Sequence, residues 1–281
     1  MLHEATLLYR INDINNDQQQ SICFFKYHSL KNDFVLIEHV GLIARDVAQK
    51  ICCRKTGIGA DGIIFFQKIA IENYWKALVQ NADGSNGEFS GNGIRCLAGH
   101  IFEKYVLNEI VIQIAGKEIF CRKKQDCIET RLPLGFVERK VQFSFYDILY
   151  HGYFVMVGNP HFLIFSQVRV INDALLFEVK KIASDHNISW IDVQDNKIFI
   201  TTYERGVGFT ESCSSAILAT MTLLHEINIH DTTREYTFIT SGGTIDVCIG
   251  ETYLYVKAAV YCSFYGFLAK DFFYDTSIFT S

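Results

Sequence analysis

Apolar residues fall along this chain in short runs, most of them only four to eight residues long. The runs are Cys23–Tyr27, Phe34–Ile37, Ile63–Gln67, Trp75–Gln80, Ile110–Ile114, Phe154–Val157, Phe162–Phe165, Ile188–Val193, Ile198–Tyr203, Tyr236–Ile239, Ile245–Ile249 and Tyr253–Val260. Their length and their β-branched and aromatic content predict strands. Only four segments carry a helical period. Ile94, Leu97, Ala98, Ile101, Phe102 and Tyr105 step by three and four, which predicts a helix with one apolar stripe from Gly91 to about Val106. Ile217, Leu218, Met221 and Leu224 do the same after Cys213, and Ile43–Cys53 and Asp173–His186 complete the set. Many strands with few helices make an α+β protein.

The order of elements repeats. Asn32-Asp-Phe-Val-Leu-Ile and Asn159-Pro-His-Phe-Leu-Ile each place an asparagine just before an apolar strand. In both places a helix, further strands and a small-residue turn into a second helix follow. The plan predicts two pseudo-symmetric halves, each presenting one helix N-terminus to a shared cleft. The polar, less periodic stretch around Leu132–Arg139 is the expected boundary between them.

Composition and charge narrow the class. The 281 residues are 49% hydrophobic and 20% charged, the balance of a globular protein able to bury a large core. A net charge of −5 without a basic block weighs against a nucleic-acid partner. Residues 1–20 contain acidic residues and a glutamine run but no sustained apolar stretch, unlike a signal peptide. No window approaches the roughly 18 apolar residues of a membrane span, so a cytoplasmic protein without a membrane partner is expected. The nine cysteines are an odd number with no C-x-x-C pair and no zinc-ligand spacing, so neither a disulfide scaffold nor a metal site is expected.

Gly57-Ile-Gly-Ala-Asp-Gly62 spells a dinucleotide fingerprint, but Arg-Lys-Thr precedes it and the strand Ile63-Ile-Phe-Phe follows. A nucleotide loop needs the reverse order, strand before and helix after, so this segment reads as a turn. Two other stretches carry more chemistry. Asn81-Ala-Asp-Gly-Ser-Asn-Gly-Glu-Phe-Ser90-Gly-Asn-Gly-Ile-Arg95 is a strand end, a tight turn and a glycine-rich helix start. Amides of Gly91, Asn92 and Gly93 at such a start would bind a carboxylate or phosphate. On the residues alone, though, the N-cap is the favoured reading of Ser90. In Tyr203-Glu-Arg-Gly-Val-Gly-Phe-Thr-Glu-Ser-Cys213-Ser-Ser-Ala the arrangement recurs with a cysteine at the helix lip. A helix N-terminus favours a thiolate and lowers the thiol pKa from about 8.5, although a half-buried capping cysteine fits as well.

Together the two stretches resemble the diaminopimelate epimerase family. Its signature N-x-D-G-S-x4-C-G-N-G-x-R is matched by residues 81–95 at every fixed position except Ser90, which stands where the family has its first catalytic cysteine. The second stretch is similar to the family's E-R-G-x-G-E-T-x-x-C-G-[ST]-G. The likeness continues through Tyr27-His-Ser-Leu-Lys-Asn-Asp-Phe, Thr56-Gly-Ile-Gly-Ala-Asp-Gly, Gly158-Asn-Pro-His and Ser241-Gly-Gly, in family order from about residue 21 to the end. The resemblance implies two pseudo-symmetric halves of mixed and antiparallel sheet wrapped around a central helix. Residues 21–133, completed by about 258–281, would form the N-terminal half and 134–257 the C-terminal half, with 1–20 an extension. It implies a small amino-acid substrate such as diaminopimelate, no pyridoxal phosphate or other cofactor, and a homodimer as one possible assembly. In its two-base mechanism one thiolate removes the α-proton and the opposing thiol delivers another. Cys213 and Ser90 would hold these positions, with His161 and Glu204 tuning the thiols. Amides of Gly91, Asn92, Ser214 and Ser215 would hold the α-carboxylate. Asn32, Asn81, Asn159, Asn187 and Arg205 match substrate-gripping positions, Asn187 after a one-residue gap, whereas turn formation is the ordinary role of such asparagines.

The departures matter. An alcohol is a far weaker acid than a thiol, so Ser90 makes a poor resting base. Ser214 and Ala216 replace family glycines, Phe209 replaces a glutamate, and Ser29 and Lys31 replace glycines near Asn32. Three readings remain: an amino-acid epimerase or racemase weakened or altered by Ser90, a non-catalytic family member that binds an amino acid or a partner subunit, and a serine-nucleophile enzyme. The last lacks a G-x-S-x-G elbow.

Overall fold

A computed structural model describes residues 22–39, 41–87, 89–166, 171–228 and 234–268. The extension and the residues after 268 lie outside this set. Chain order begins with β1 (Ile22–Ser29), β2 (Asn32–Glu38), α1 (Arg45–Cys52), β3 (Gly62–Lys68), β4 (Tyr74–Asn81), β5 (Asn86–Gly87), α2 (Gly91–Tyr105) and β6 (Glu109–Ile114). It continues through β7 (Lys117–Lys124), β8 (Cys127–Pro133), β9 (Phe136–Phe145), β10 (Ile148–Met156), β11 (Pro160–Phe165), α3 (Asp173–Ile182), β12 (Asn187–Gln194) and β13 (Lys197–Glu204). β14 (Gly208–Thr210), α4 (Ser214–Glu226), β15 (Glu235–Thr240), β16 (Gly243–Ile249), β17 (Tyr253–Ala258) and β18 (Tyr261–Leu268) complete it. This is the expected α+β class. Contacts divide the described residues into two units, one holding 22–28, 33–118 and 260–268 and the other 29–32 and 119–259.

In the first unit β2 pairs in parallel with β3, β3 antiparallel with β4, β4 antiparallel with β5 and in parallel with β6. In the second unit β11, β12, β13, β14 and β15 repeat this scheme step for step. The parallel steps β2–β3 and β11–β12 are bridged by α1 and α3, and the parallel steps β4–β6 and β13–β15 by α2 and α4, which follow β5 and β14. The pseudo-symmetry read from the two asparagine-led strands is therefore a repeated topology.

Burial explains the continuous apolar runs. Val35, Ile37, Ile63 and Phe65 pack with Val47, Ala48 and Ile51 of α1, and their neighbours Phe34 and Ile64 lie against α2, where a Cβ on Gly93 would come within 2.7 Å of Ile64 Cδ1. A strand covered on both faces carries apolar side chains at every position. The second unit repeats this, with Leu175, Leu176 and Val179 of α3 packed on Phe154, Phe162, Ile164, Ile188 and Trp190. α2 differs from the expected one-sided stripe. Every residue from Gly91 to Phe102 is buried, Asn92, Arg95 and His100 included.

Two corrections concern strands. Leu132–Arg139, expected as an irregular boundary, belongs largely to β8 and β9. β9 escaped because only one of its faces is covered, and its cations lie over aromatic rings of the paired strand. Arg139 sits 4.2 Å from the Phe154 ring centroid and Lys140 5.4 Å from that of Tyr153. The run Tyr253–Val260 ends as a strand at Ala258, and a separate strand, β18, returns to pair antiparallel with β1. Leu30 and Lys31, both at positive φ (53° and 63°), make the turn between β1 and β2, a left-handed pair that costs side-chain-bearing residues about 1 kcal/mol or more each.

Candidate active site

The sequence-predicted residues divide between the two units. Asn81, Ser90, Gly91 and Asn92 lie in the first. Asn32, Asn159, His161, Asn187, Glu204, Arg205, Cys213, Ser214 and Ser215 lie in the second. In both units the same topological place is used. Asn81 ends β4 and Glu204 ends β13, and each precedes a helix N-cap by nine residues (81 to 90, 204 to 213).

In the first unit the turn after β4 is wound tightly. Asn81 Nδ2 donates to Ser85 Oγ at 3.0 Å, while Asp83 Oδ1 accepts from the Ser85 amide at 2.9 Å and its hydroxyl at 2.6 Å. The Ser85 hydroxyl and amide, with Arg45 nearby, hold the Asp83 carboxyl below its usual range. Arg45 and Gln49 of α1 each donate to the Asp83 carbonyl at 2.9 Å, and buried Gln80 ties Ile43 to Gly84. Gly84 adopts φ +77°, and a Cβ there would stand 2.4 Å from the Arg45 carbonyl oxygen, so the turn requires glycine. α2 then begins at Ser90, whose Oγ accepts from the Gly93 amide at 3.1 Å. Ser90 is a side-chain N-cap. Arg95, one turn on, is fully buried and donates to Asn92 Oδ1.

The second unit assembles more of the expected set. Cys213 is the N-cap of α4 but makes no capping bond with its side chain. Its sulfur lies 3.3 Å from Ser215 Oγ, which also accepts from Asn159 Nδ2 at 3.3 Å, and Asn159 Oδ1 lies 3.3 Å from His161 Nε2. His161 stands opposite Asn187 across the β11–β12 pair, and Asn187 Oδ1 accepts the Arg205 amide at 2.9 Å. Glu204 is oriented by Thr210, whose hydroxyl donates to Oε1 at 2.7 Å. Positive φ at Gly206 (78°) and Gly208 (104°) bends the chain between them. Thr210 went unnoticed as a site residue, although it is the threonine of the E-R-G-x-G-x-T pattern. Phe209, which stands where the family pattern has a glutamate, is half-exposed and set edge-on to Tyr203 at 5.3 Å.

Electrostatics overturns one expectation. The helix N-terminus was expected to lower the Cys213 pKa; instead burial and the Glu204 carboxylate push it up to about 12, against weaker help from the Ser215 hydroxyl and the Ala216 amide. A charge inside the protein loses its hydration, and here that loss outweighs the dipole. Burial also holds His161 neutral, its pKa down to about 3 with His186 contributing.

The segment carrying Asn32 is fastened within the second unit. Ser29 Oγ donates to the Ala259 carbonyl at 2.9 Å and Lys31 Nζ to the Ser241 carbonyl at 2.9 Å. A Cβ on Gly242 would stand 2.3 Å from the Leu30 carbonyl oxygen, while its amide donates to Glu211 O at 2.8 Å, just ahead of Cys213. The Ser241-Gly-Gly motif is thus a close backbone crossing that links the Asn32 segment to the start of α4.

Among the described residues no group of three His, Cys, Asp or Glu side chains could hold a metal ion, and no helix is long and apolar enough to cross a membrane. The sequence model of the family described as diaminopimelate epimerase matches residues 24–127. The diaminopimelate epimerase of Rickettsia canadensis (strain McKiel) is 30% identical over 213 residues, covering 69% of this chain and 78% of that protein. That of Rickettsia akari (strain Hartford) is 29% identical over 213 residues with the same coverage. Among solved structures, a hydroxyproline epimerase from Agrobacterium vitis superposes with a TM-score of 0.69 at 10% identity, over 90% of this chain and 94% of that one. A phenazine biosynthesis protein of the PhzF family from Enterococcus faecalis gives 0.68 at 12% identity, over 89% and 99%. At such identities the structural likenesses speak for the fold.

Proposed function

The chain belongs to the diaminopimelate epimerase family of isomerases, and from that premise we propose that it interconverts LL- and meso-diaminopimelate without a cofactor, at a rate lowered by Ser90. The observation that carries the reading is the Cys213 cluster. The sulfur, Ser215, Asn159 and His161 form one hydrogen-bonded chain at the N-terminus of α4, with Glu204 close enough to the thiol to raise its pKa.

In this mechanism Cys213 exchanges a proton with the substrate α-carbon. Its resting state is the thiol, so it is a ready acid, and it becomes a base only by passing its proton onward. Glu204, within hydrogen-bonding reach of the sulfur, is the acceptor at hand. Neutral His161 adds no positive charge to the cluster and orients Asn159. Amides at the start of α4 and α2 would take up the negative charge that develops on the α-carboxylate. Ser90 takes the other face of the α-carbon, where its hydroxyl can relay a proton but holds almost no alkoxide near neutral pH. Asn32, Asn81, Asn159, Asn187 and Arg205 grip the substrate, Arg205 by charge-assisted bonds to the distal carboxylate.

A second reading, amino-acid binding without turnover, is favoured by one observation: the Ser90 hydroxyl is engaged by the Gly93 amide. The two readings part in deuterated water. An epimerase, however slow, places deuterium at the α-carbon of diaminopimelate, and Cys213→Ala abolishes it. A parent protein that binds diaminopimelate yet exchanges nothing above the Cys213→Ala background refutes the epimerase reading.

A further inference from the structure

We propose that His186, which no motif singles out, is a positioning residue for Arg205. Its neutral ring, set against Phe154, holds the turn that fixes both the backbone and the guanidinium of that arginine. The inference deepens the substrate-gripping role proposed for Arg205 and rests on it for its functional consequence.

The two groups that hold Arg205 flank His186 in the chain. Asn187 Oδ1 accepts the Arg205 backbone amide at 2.9 Å, and the Asp185 carbonyl accepts Arg205 Nη1 at 3.1 Å. Both bonds therefore come from a three-residue segment with His186 at its centre. That segment is a turn closed by the His186 amide, which donates to the Ala183 carbonyl at 3.2 Å. Its anchor to the core is the imidazole, which meets the Phe154 ring edge-on, with centroids 4.8 Å apart and planes at 75°. Phe154 is itself fully buried and packed on Phe162 at 4.7 Å, with Arg139 over its face. A fixed aromatic surface thus seats the ring, and the ring seats the two acceptors.

The seat suits only the neutral imidazole. His186 Nδ1 is enclosed and has no hydrogen-bond partner among the described residues. Imidazolium donates from both nitrogens, so a proton at Nδ1 would point at nothing that accepts it. The charged neighbours are Glu138 and Arg139 from β9, Asp185 on the same turn, and Arg205 after β13, with neutral His161 on β11 close by. Burial outweighs the two carboxylates and, with the two arginines, keeps the ring's pKa below its ordinary value. Protonation unseats the ring, and the Asp185 and Asn187 acceptors shift with it. An edge-on aromatic contact with no titrating nitrogen would keep the turn in place at any pH.

The test reads Arg205 directly, without substrate. Amide hydrogen exchange and the 15N shift of Arg205 are followed from about pH 8 to pH 5, the interval in which histidine titrates, in the parent, His186→Phe and His186→Gln. In the parent, acid lowers the protection of the Arg205 amide, corrected for intrinsic exchange, by up to about tenfold, the worth of one hydrogen bond. In His186→Phe that protection stays constant, and in His186→Gln, which has no aromatic edge, it is low throughout. Calorimetry with meso-diaminopimelate on the same proteins then shows affinity following protection. An Arg205 amide that titrates in His186→Phe as it does in the parent, or one equally protected in all three proteins, overturns the proposal. If protection behaves as stated while diaminopimelate affinity ignores it, the positioning role stands and the substrate role of Arg205 falls.

Discussion

Ser90 and Cys213 occupy the same place in two copies of one topology, and only the serine closes its helix with its own side chain. The Ser90 hydroxyl accepts the Gly93 amide, whereas the Cys213 sulfur turns toward Ser215. In the proposed mechanism capping and proton transfer would compete for one oxygen at Ser90. Restoring a thiol there separates the two. Ser90→Cys should lose part of a cap worth about 1 kcal/mol, seen as a lower urea midpoint. It should also raise epimerisation by as much as the roughly 10²–10⁴-fold that general acid–base catalysis contributes. The gain falls at the lower end if Ser214, Ala216 and Phe209 misplace the carboxylate. A folded Ser90→Cys protein no faster than the parent would show that Ser90 is not the second acid.

Burial first, and the Glu204 carboxylate second, keep Cys213 protonated. Removing the carboxylate's negative charge removes a cause that raises the thiol pKa, so Glu204→Gln should bring that pKa down from about 12. Iodoacetamide labelling of the Cys213 peptide, followed by mass spectrometry as pH rises, reports the thiolate fraction. The Glu204→Gln curve should lie at lower pH than the parent curve. Proton exchange at the substrate should fall all the same, because the acceptor for the thiol proton has gone.

A second charge cluster is structural. Asp33 accepts two bonds at 2.8 Å from the Arg54 guanidinium and pairs with the almost fully buried Lys26 at 2.7 Å. Burial raises the Asp33 pKa, but Arg54 and Lys26 together drive it below the ordinary carboxylate range. Asp61 completes the group, accepting from Arg54 at 2.7 Å and from the Asp33 amide at 3.1 Å. Replacing Asp33 leaves the Lys26 charge enclosed beside a lost partner, and breaking a buried pair costs about 3–5 kcal/mol. Asp33→Ala should show that loss in chemical denaturation, and the added Lys26→Met change should recover part of it.

What could be read from the chain follows from which faces are covered. Phe34–Ile37, Ile63–Gln67 and Phe162–Phe165 are packed on both faces, so their apolar runs announce strands. β7 and β9 carry Lys-Glu-Ile-Phe-Cys-Arg-Lys-Lys and Phe-Val-Glu-Arg-Lys-Val-Gln-Phe-Ser-Phe with one exposed face and cations laid over rings. A pattern reading takes them for polar linkers. The starts of α2 and α4 were legible because glycines, small residues and a preceding polar turn mark them. Burial was not, since Asn92, Arg95 and His100 sit inside although their types suggest the surface. The Cys213 pKa was misjudged for the same reason. Sequence displays the dipole behind the thiol, and the resemblance points to Glu204 as a tuning residue, but neither shows the enclosure that pushes the pKa up.

Two enclosed histidines make stability sensitive to acid. His100, among Phe25, Tyr27 and Phe66, and His161, in the Cys213 cluster, are both held to a pKa of about 3 by burial, with Lys104 and His186 adding to it. Unfolded, each would titrate near the ordinary value of about 6.5. Above about pH 6.5 both states are neutral at these sites and neither histidine lowers stability. Between that value and about pH 3 the unfolded chain takes up protons that the native protein refuses, so stability falls as pH falls. The slope reaches about 1.4 kcal/mol per pH unit for each group once its unfolded form is fully protonated. Below about pH 3 the native histidines also protonate and this loss levels off. His100→Phe should remove one of the two contributions, because a phenyl ring fits the aromatic surroundings and binds no proton. Urea unfolding at a series of pH values between about 7 and 4 measures the effect. The parent should lose stability more steeply than His100→Phe over this interval, the difference between the two slopes reaching about 1.4 kcal/mol per pH unit, because the contributions common to both proteins cancel in that difference. Parallel curves for the two proteins would mean that His100 protonates as readily folded as unfolded.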